Sequence, residues 1–279
     1  MQECAQVHSG NIIMHQAEET MAERIVMIGA GNVATHISRA LAAAGSTPVQ
    51  VWSRSAESAR ALAGEVGSEA VTDMNRIVAD ADVYIVSVAD SALGDVIARL
   101  CSVCRRGVFV HTAGTMPMQL FDGRAEHYGV LYPMQTFSKQ KELDFSVVPC
   151  FVEASDEGAL AVVKRLARML SHRVYELSGD DRRWLHVAAV FACNFANACC
   201  GMAARLLAEH GLDFSVMLPL VDETTRKLHT LAPAEAQTGP AARGDRNVMD
   251  RHLAMLKDEG DLQEVYRMMS EMIMKQKKE

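Results

Sequence analysis

No stretch of this sequence is dense in lysine and arginine except Lys275-Gln276-Lys277-Lys278, which reads as the fraying end of a helix. The formal charge is −7, from 28 basic and 35 acidic residues, and argues against a nucleic-acid partner. A disulfide framework is also missing: the seven cysteines are odd in number and scattered, which suits a reducing compartment, here the cytoplasm. Cys101-Ser102-Val103-Cys104 has the C-x-x-C spacing but no second pair, so neither metal nor redox chemistry is expected of it. The first twenty residues hold no apolar run of signal-peptide length, and residues 1–21 are expected to form a flexible extension, with Met21 an alternative start. The nearly uncharged stretch Val187 to Ala204 is not expected to span a membrane. It is rich in Ala and Cys, contains Asn194 and Asn197, and follows Asp180-Asp181-Arg182-Arg183, all of which suit a helix buried on all sides within protein.

What is present begins with Arg24-Ile25-Val26-Met27-Ile28-Gly29-Ala30-Gly31-Asn32-Val33-Ala34, an apolar strand that breaks into glycines spaced G-x-G-x-x-A and continues as a helix. Gly29 permits a sharp turn, Gly31 leaves bare backbone for a pyrophosphate, and Ala34 lets helix and strand pack closely. The helix start faces the diphosphate with unpaired N–H groups and a positive dipole end, so Gly29, Ala30, Gly31, Asn32 and Val33 form the expected dinucleotide cradle. The helix runs through Leu41, Gly45 closes it, and a second strand spans Pro48 to Ser53. A tight turn that binds nothing is the bland alternative.

The end of the second strand selects between dinucleotides. An acid about twenty residues past the glycines would hold a ribose 2′-hydroxyl, whereas a basic residue accommodates a 2′-phosphate. The strand ends Val51-Trp52-Ser53-Arg54-Ser55, with no acid at its tip. Arg54 offers a planar fork for phosphate between the hydroxyls of Ser53 and Ser55, which favours NADP(H). Ser55 also suits the N-cap of a helix through Leu62, and both readings can hold together.

The alternation continues with strands near 69–72, 82–88, 107–112, 127–132, 148–153 and 173–177 and helices near 91–104 and 156–170. It predicts a doubly wound α/β Rossmann sheet of parallel strands over residues 22–177. Polar tips converge at the carboxyl edge: Ser87-Val88-Ala89-Asp90, His111-Thr112-Ala113-Gly114 and Tyr132-Pro133-Met134-Gln135-Thr136. Ser87, Val88 and Ala89 are expected beside the nicotinamide ribose. From residue 178 to 279 only helices are expected, near 180–209, 213–231, 247–258 and 261–276, giving a separate all-α domain. On the long helix, at 100° per residue, Asn197 lies roughly 20° and Asn194 roughly 80° from His186, on one stripe with Val190 and Cys193. Such a polar stripe either finds partners inside the protein or lines a cleft.

These segments, together with Leu185-His186-Val187-Ala188-Ala189-Val190-Phe191-Ala192-Cys193-Asn194-Phe195, Pro219-Leu220-Val221-Asp222-Glu223-Thr224 and Gln237-Thr238-Gly239-Pro240-Ala241, carry a family likeness from Arg24 to the C-terminal helix. The chain resembles a bacterial group of Rossmann-like NADP oxidoreductases whose helical C-terminal domain has no assigned function. Wider relatives include pyrroline-5-carboxylate reductase, ketopantoate reductase and the 6-phosphogluconate and 3-hydroxyisobutyrate dehydrogenases. The resemblance implies a 6-phosphogluconate dehydrogenase-like helical domain and a homodimer with its helical domains packed together. The hydroxyacid and ketopantoate branches have a lysine and an asparagine one turn apart on the long helix. Here no lysine lies between Asp180 and His210, and Val190 stands four residues before Asn194.

An imidazole exchanges protons near neutral pH, so His186 is the expected substitute and Asn194 the group that orients the reacting atom. Lys227 is a second candidate, although Glu223 and Lys227 also form an ordinary helix-surface pair. The loop around Arg243 is a candidate for an anionic substrate group. The expected function is hydride transfer between NADP(H) and a small carbonyl, imine or alcohol. A nonenzymatic NADP(H)-binding redox sensor acting on a protein partner is the alternative, and exchange with a reduced deazaflavin is a third reading.

Overall fold

The computed structural model describes residues 23–276, so the extension expected over 1–21 lies outside the described residues. By contacts the chain divides into two compact units at Ala189/Val190.

In the first unit, strand β1 (Ile25–Ile28) is buried at every residue, as a strand covered on both faces must be. Its side chains alternate between two apolar clusters, Ile25 and Met27 in one, Val26 and Ile28 in the other. Strand β4 (Val83–Val86) follows the same parity, with Val83 and Ile85 opposed to Tyr84 and Val86. One sheet therefore separates two cores. Helix α1 (Asn32–Ala43) contributes Ala34, Ile37 and Leu41 to the first, together with α2 (Ala56–Val66) and α4 (Glu157–Leu170). Helix α3 (Asp90–Val103) covers the second face with Leu93, Ile97 and Leu100. Helix α2 runs a turn beyond Leu62 because its left-handed cap is Gly67, at φ 78°.

The remaining strands are β2 (Gln50–Trp52), β3 (Glu69–Val71), β5 (Val108–His111), β6 (His127–Pro133), β7 (Cys150–Ala154) and β8 (Val174–Glu176), in the spatial order β3-β2-β1-β4-β5-β6-β7-β8. The expected doubly wound Rossmann sheet is present, with one departure from an all-parallel sheet: β7 runs antiparallel to β6, in register Tyr132↔Phe151. Residues 134–149 return along β6 with only a short 3-10 turn, Phe145–Val147, and no crossover helix, which a parallel partner would need. This returning segment is pinned to α1. Asn32 Nδ2 donates to the Phe137 carbonyl at 2.9 Å, His36 Nε2 lies 2.9 Å from the Ser138 carbonyl, and Arg39 donates to that of Lys139 at 2.9 Å. The three side chains share one face of α1 and take three consecutive carbonyls.

The sequence pattern places the domain change after residue 177, but helix α5 (Gly179–Ala189) belongs to the sheet unit. The cause is Arg182, which is fully buried: it pairs with Glu153 and donates to the carbonyls of Gly114 (3.2 Å) and Met116 (2.6 Å). Its neighbour Arg183 stays exposed beside Asp180.

The second unit opens with a π-helical segment, Val190–Phe195, and continues through α6 (Ala196–Glu209), α7 (Leu218–Lys227), the single turns α8 (Pro233–Ala236) and α9 (Pro240–Arg243), α10 (Arg246–Met255) and α11 (Gly260–Gln276). The π segment overturns the stripe geometry, because a uniform 100° per residue no longer links His186 to Asn194 and Asn197. The expectation of a helix buried on all sides also fails. Phe191, Cys193, Asn194, Phe195, Asn197 and Cys199 are all exposed in the single chain. The helix Gly179–Glu209 contains a window of mean hydropathy 1.6, long and apolar enough to cross a membrane by length and composition alone. Within this unit Arg205 pairs with Glu259, just before α11, and with Asp261 in its first turn, and His252 Nδ1 lies 2.9 Å from the Tyr266 hydroxyl.

Candidate cofactor and active site

A cavity of about 570 Å³ opens at the carboxyl edge of the sheet, lined entirely by residues of the first unit. At one side it meets the turn after β1. Gly29 has φ +124°, and its N–H continues the sheet by donating to the Trp52 carbonyl at 2.8 Å. A Cβ there would collide with the Ser87 carbonyl oxygen, so the first glycine is required both by its dihedral and by the close approach of β4. Gly31 is required differently. It N-caps α1 without any side chain to occupy the first-turn N–H groups, and a Cβ on it would meet no protein atom within 4 Å. That space, beside the N–H groups of Asn32 and Val33, fits a pyrophosphate against bare backbone. The Asn32 side chain is anchored by the bond from its Nδ2 to the Phe137 carbonyl.

Arg54 lines the cavity and forms no ion pair among the described residues. Ser53 lines it too, and its Oγ accepts from the Ser55 N–H at 3.3 Å. Ser55 serves as the N-cap of α2, accepting from the Ser58 N–H at 3.2 Å, while Ser58 itself lines the cavity. Ser58 was not legible from the sequence, because its position one turn into a helix carries no motif. A guanidinium with two serines fits a 2′-phosphate.

Ser87, Val88 and Ala89 line the next part of the cavity. Thr112 Oγ1 donates to Ser87 Oγ at 3.0 Å and joins the ends of β4 and β5. Ala89 caps α3 without a side chain bond, and Asp90 in its first turn accepts from Thr115 Oγ1 at 2.7 Å. The remaining wall holds Gly114, Tyr132, Gln135, Phe137 and His186. Tyr132 Oη lies 3.0 Å from His186 Nδ1. The burial of Arg182 fixes the start of α5 against the loop after β5, and His186 stands one turn further on. Neither Arg182 nor Glu153 carries a signal in the sequence, since a charged run at a helix start ordinarily reads as solvated. Asn194 belongs to the other unit and takes no role from this geometry.

At the end of β5 His111 is buried against Phe121 and accepts from the Ala113 N–H at 3.2 Å. Burial pushes its pKa down to about 3, assisted by the Arg182 charge and opposed by the Pro117 carbonyl. It is thereby held neutral. Burial raises the Cys101 thiol to about 11, helped by Cys104, which is itself raised, so neither thiol of the C-x-x-C pair is activated as a nucleophile.

Two family models match the chain: NADP oxidoreductase, coenzyme F420-dependent, over residues 24–112, and a domain of unknown function (DUF2520) over residues 148–273. No curated protein matches. Among solved structures, "putative NADP oxidoreductase BF3122 from Bacteroides fragilis" is 48% identical, covers 91% of this chain and 98% of its own, and superimposes with a TM-score of 0.87. A pyrroline-5-carboxylate reductase from Coxiella burnetii (18% identity, 92% and 98% covered, TM-score 0.57) shares the fold. So does an imine reductase from Myxococcus stipitatus in complex with NADP+ (15% identity, 90% and 92% covered, TM-score 0.63). The glycine cradle, the acid-free strand tip and the match over nearly the whole Bacteroides chain lead to one conclusion: this chain belongs to the family of NADP oxidoreductases that carry a C-terminal DUF2520 domain.

Proposed function

We propose that this oxidoreductase reduces a small carbonyl or imine, or oxidises the corresponding alcohol or amine, with NADP(H). The observation that carries the reading is one cavity shared by a helix N-terminus, an arginine at the acid-free strand tip and a tyrosine–histidine pair. The N–H groups of Gly31, Asn32 and Val33 at the start of α1 hold the pyrophosphate. Arg54, Ser53 and Ser58 hold the 2′-phosphate, and Ser87, Val88 and Ala89 pack against the nicotinamide-side ribose. When bound, the cofactor supplies or accepts the hydride. His186 exchanges the accompanying proton, in place of the lysine the long helix lacks. A proton-exchanging pair in the cavity favours catalysis over the redox-sensor reading, which needs no such group. Replacing His186 by glutamine is expected to depress turnover and flatten the pH–rate profile while NADPH binds as before; an unchanged profile removes the histidine from the mechanism. Asn194 keeps its orienting role on the resemblance alone, and Asn194→Ala is expected to lower kcat.

The second unit is proposed to pack against a second copy of itself. Phe191 and Phe195 stack edge to face at 5.0 Å yet are 60% and 49% exposed, and Val216, Leu218, Leu220 and Leu228 are exposed as well. So broad an apolar surface, with Asn194 and Asn197 set within it, suits another protein surface better than lipid. The reduced cysteines Cys193, Cys199 and Cys200 fit work in the cytoplasm.

A further inference from the structure

We infer that Tyr132, with His186 behind it, is the acid that protonates the substrate, and that the imidazole passes protons between this phenol and solvent; the inference rests on the reductase reading above. The two rings meet at 3.0 Å between Oη and Nδ1, with centroids 6.0 Å apart. Both border the cavity, but they differ in exposure: Tyr132 on β6 is only 8% exposed, and His186 on α5 is of intermediate exposure. Proton traffic follows that difference, from water to the more exposed imidazole, from imidazole to phenol, and from phenol to substrate.

The surroundings hold the pair in place. A Cβ on Gly114 would come within 2.5 Å of His186 Nδ1 and 3.0 Å of Tyr132 Cε2, so this glycine makes room for both rings. Its carbonyl is clamped by buried Arg182 on the same helix as His186. On its other side Tyr132 packs on Phe151 across the antiparallel β6–β7 pair, centroids 6.4 Å apart.

For a ketone the step balances as follows. The carbonyl carbon gains the hydride that NADPH gives up, the π pair moves to oxygen, and that oxygen takes the phenol proton. The phenolate then draws a proton through His186 from water. One ketone, one NADPH and one proton become one alcohol and one NADP+. A substrate that is already a cation, such as an iminium ion, needs the hydride alone and no acid.

That difference supplies the test. Tyr132→Phe and the parent chain are assayed with NADPH on cyclohexanone and on 1,2-dimethyl-1-pyrrolinium, a permanent iminium. The expected result is a loss of about 100-fold or more in ketone kcat/KM, within the range for a lost general acid, with iminium reduction changed by less than about threefold. Equal losses on both probes, or no loss on either, overturn the donor role while leaving the reductase reading intact. If the parent chain binds NADPH but reduces neither probe, the reductase reading falls and the donor role falls with it. A second readout needs no turnover: in the cofactor-free protein the 15N resonance of His186 Nδ1 is expected to shift in Tyr132→Phe and in Gly114→Ala. An unmoved resonance denies the pair.

Discussion

His111 gives the sharpest test of how the end of β5 is held. Its ring lies in the second core under Phe121, where the protonated form loses hydration and meets the field of Arg182, and its pKa falls from 6.5 to about 3. The folded state thus keeps it neutral while the unfolded chain takes up a proton below about pH 6.5. Its contribution to stability is complete above about 6.5 and is lost progressively as the pH falls toward about 3. In that window the loss is about 1.4 kcal/mol per pH unit, or about 2 kcal/mol between pH 8 and pH 5. Urea unfolding of the parent chain and of His111→Asn, at one protein concentration and at pH 8, 7, 6 and 5, isolates the effect. Asparagine retains an acceptor for the Ala113 N–H but does not titrate. The variant is expected to be less stable at pH 8, from imperfect packing, yet to lose about 2 kcal/mol less on acidification. Parallel pH dependences for the two proteins would refute the argument, because the slope difference belongs to this ring alone.

The buried pair of Arg182 and Glu153 predicts that Arg182→Met destabilises the first unit by about 3–5 kcal/mol in urea unfolding. It strands a shielded carboxylate and removes the donor from the Gly114 and Met116 carbonyls. The double variant with Glu153→Leu recovers part of the loss; a single variant within about 1 kcal/mol of the parent contradicts this account. The exposed aromatic pair on the π segment predicts that Phe195→Asp turns a dimer into a monomer in sedimentation velocity. A parent chain that sediments as a monomer at micromolar concentration defeats the proposed second copy.

Much of the first unit was legible because its signals are local. The glycine spacing, the apolar β1 and the acid-free tip at Arg54 each sit within a few consecutive residues, and the structure gathers the glycines and the tip around one cavity. What escaped depends on contacts between distant segments. The reversal of β7 follows from a return segment fastened to α1 by Asn32, His36 and Arg39, residues otherwise indistinguishable from a helix surface. Arg182 reads as one of a solvated charged run until Glu153, far along the chain, is placed against it. Tyr132 stood in a segment marked as a polar strand tip, but its pairing with His186 joins a strand to a helix fifty-four residues away. The long helix misled for another reason. Hydropathy detects the apolar face but not what covers it, and the π segment that breaks its period has no sequence signature.

The most direct test of the central claim is a calorimetric titration with NADPH, NADP+, NADH and NAD+, repeated on Arg54→Ala. The account predicts that NADPH binds at least about tenfold tighter than NADH, about 1.4 kcal/mol, and that the variant loses this gap while NADH affinity is little changed. If none of the four binds, or if the preference survives without Arg54, the cavity at the glycine turn is not the NADP site described.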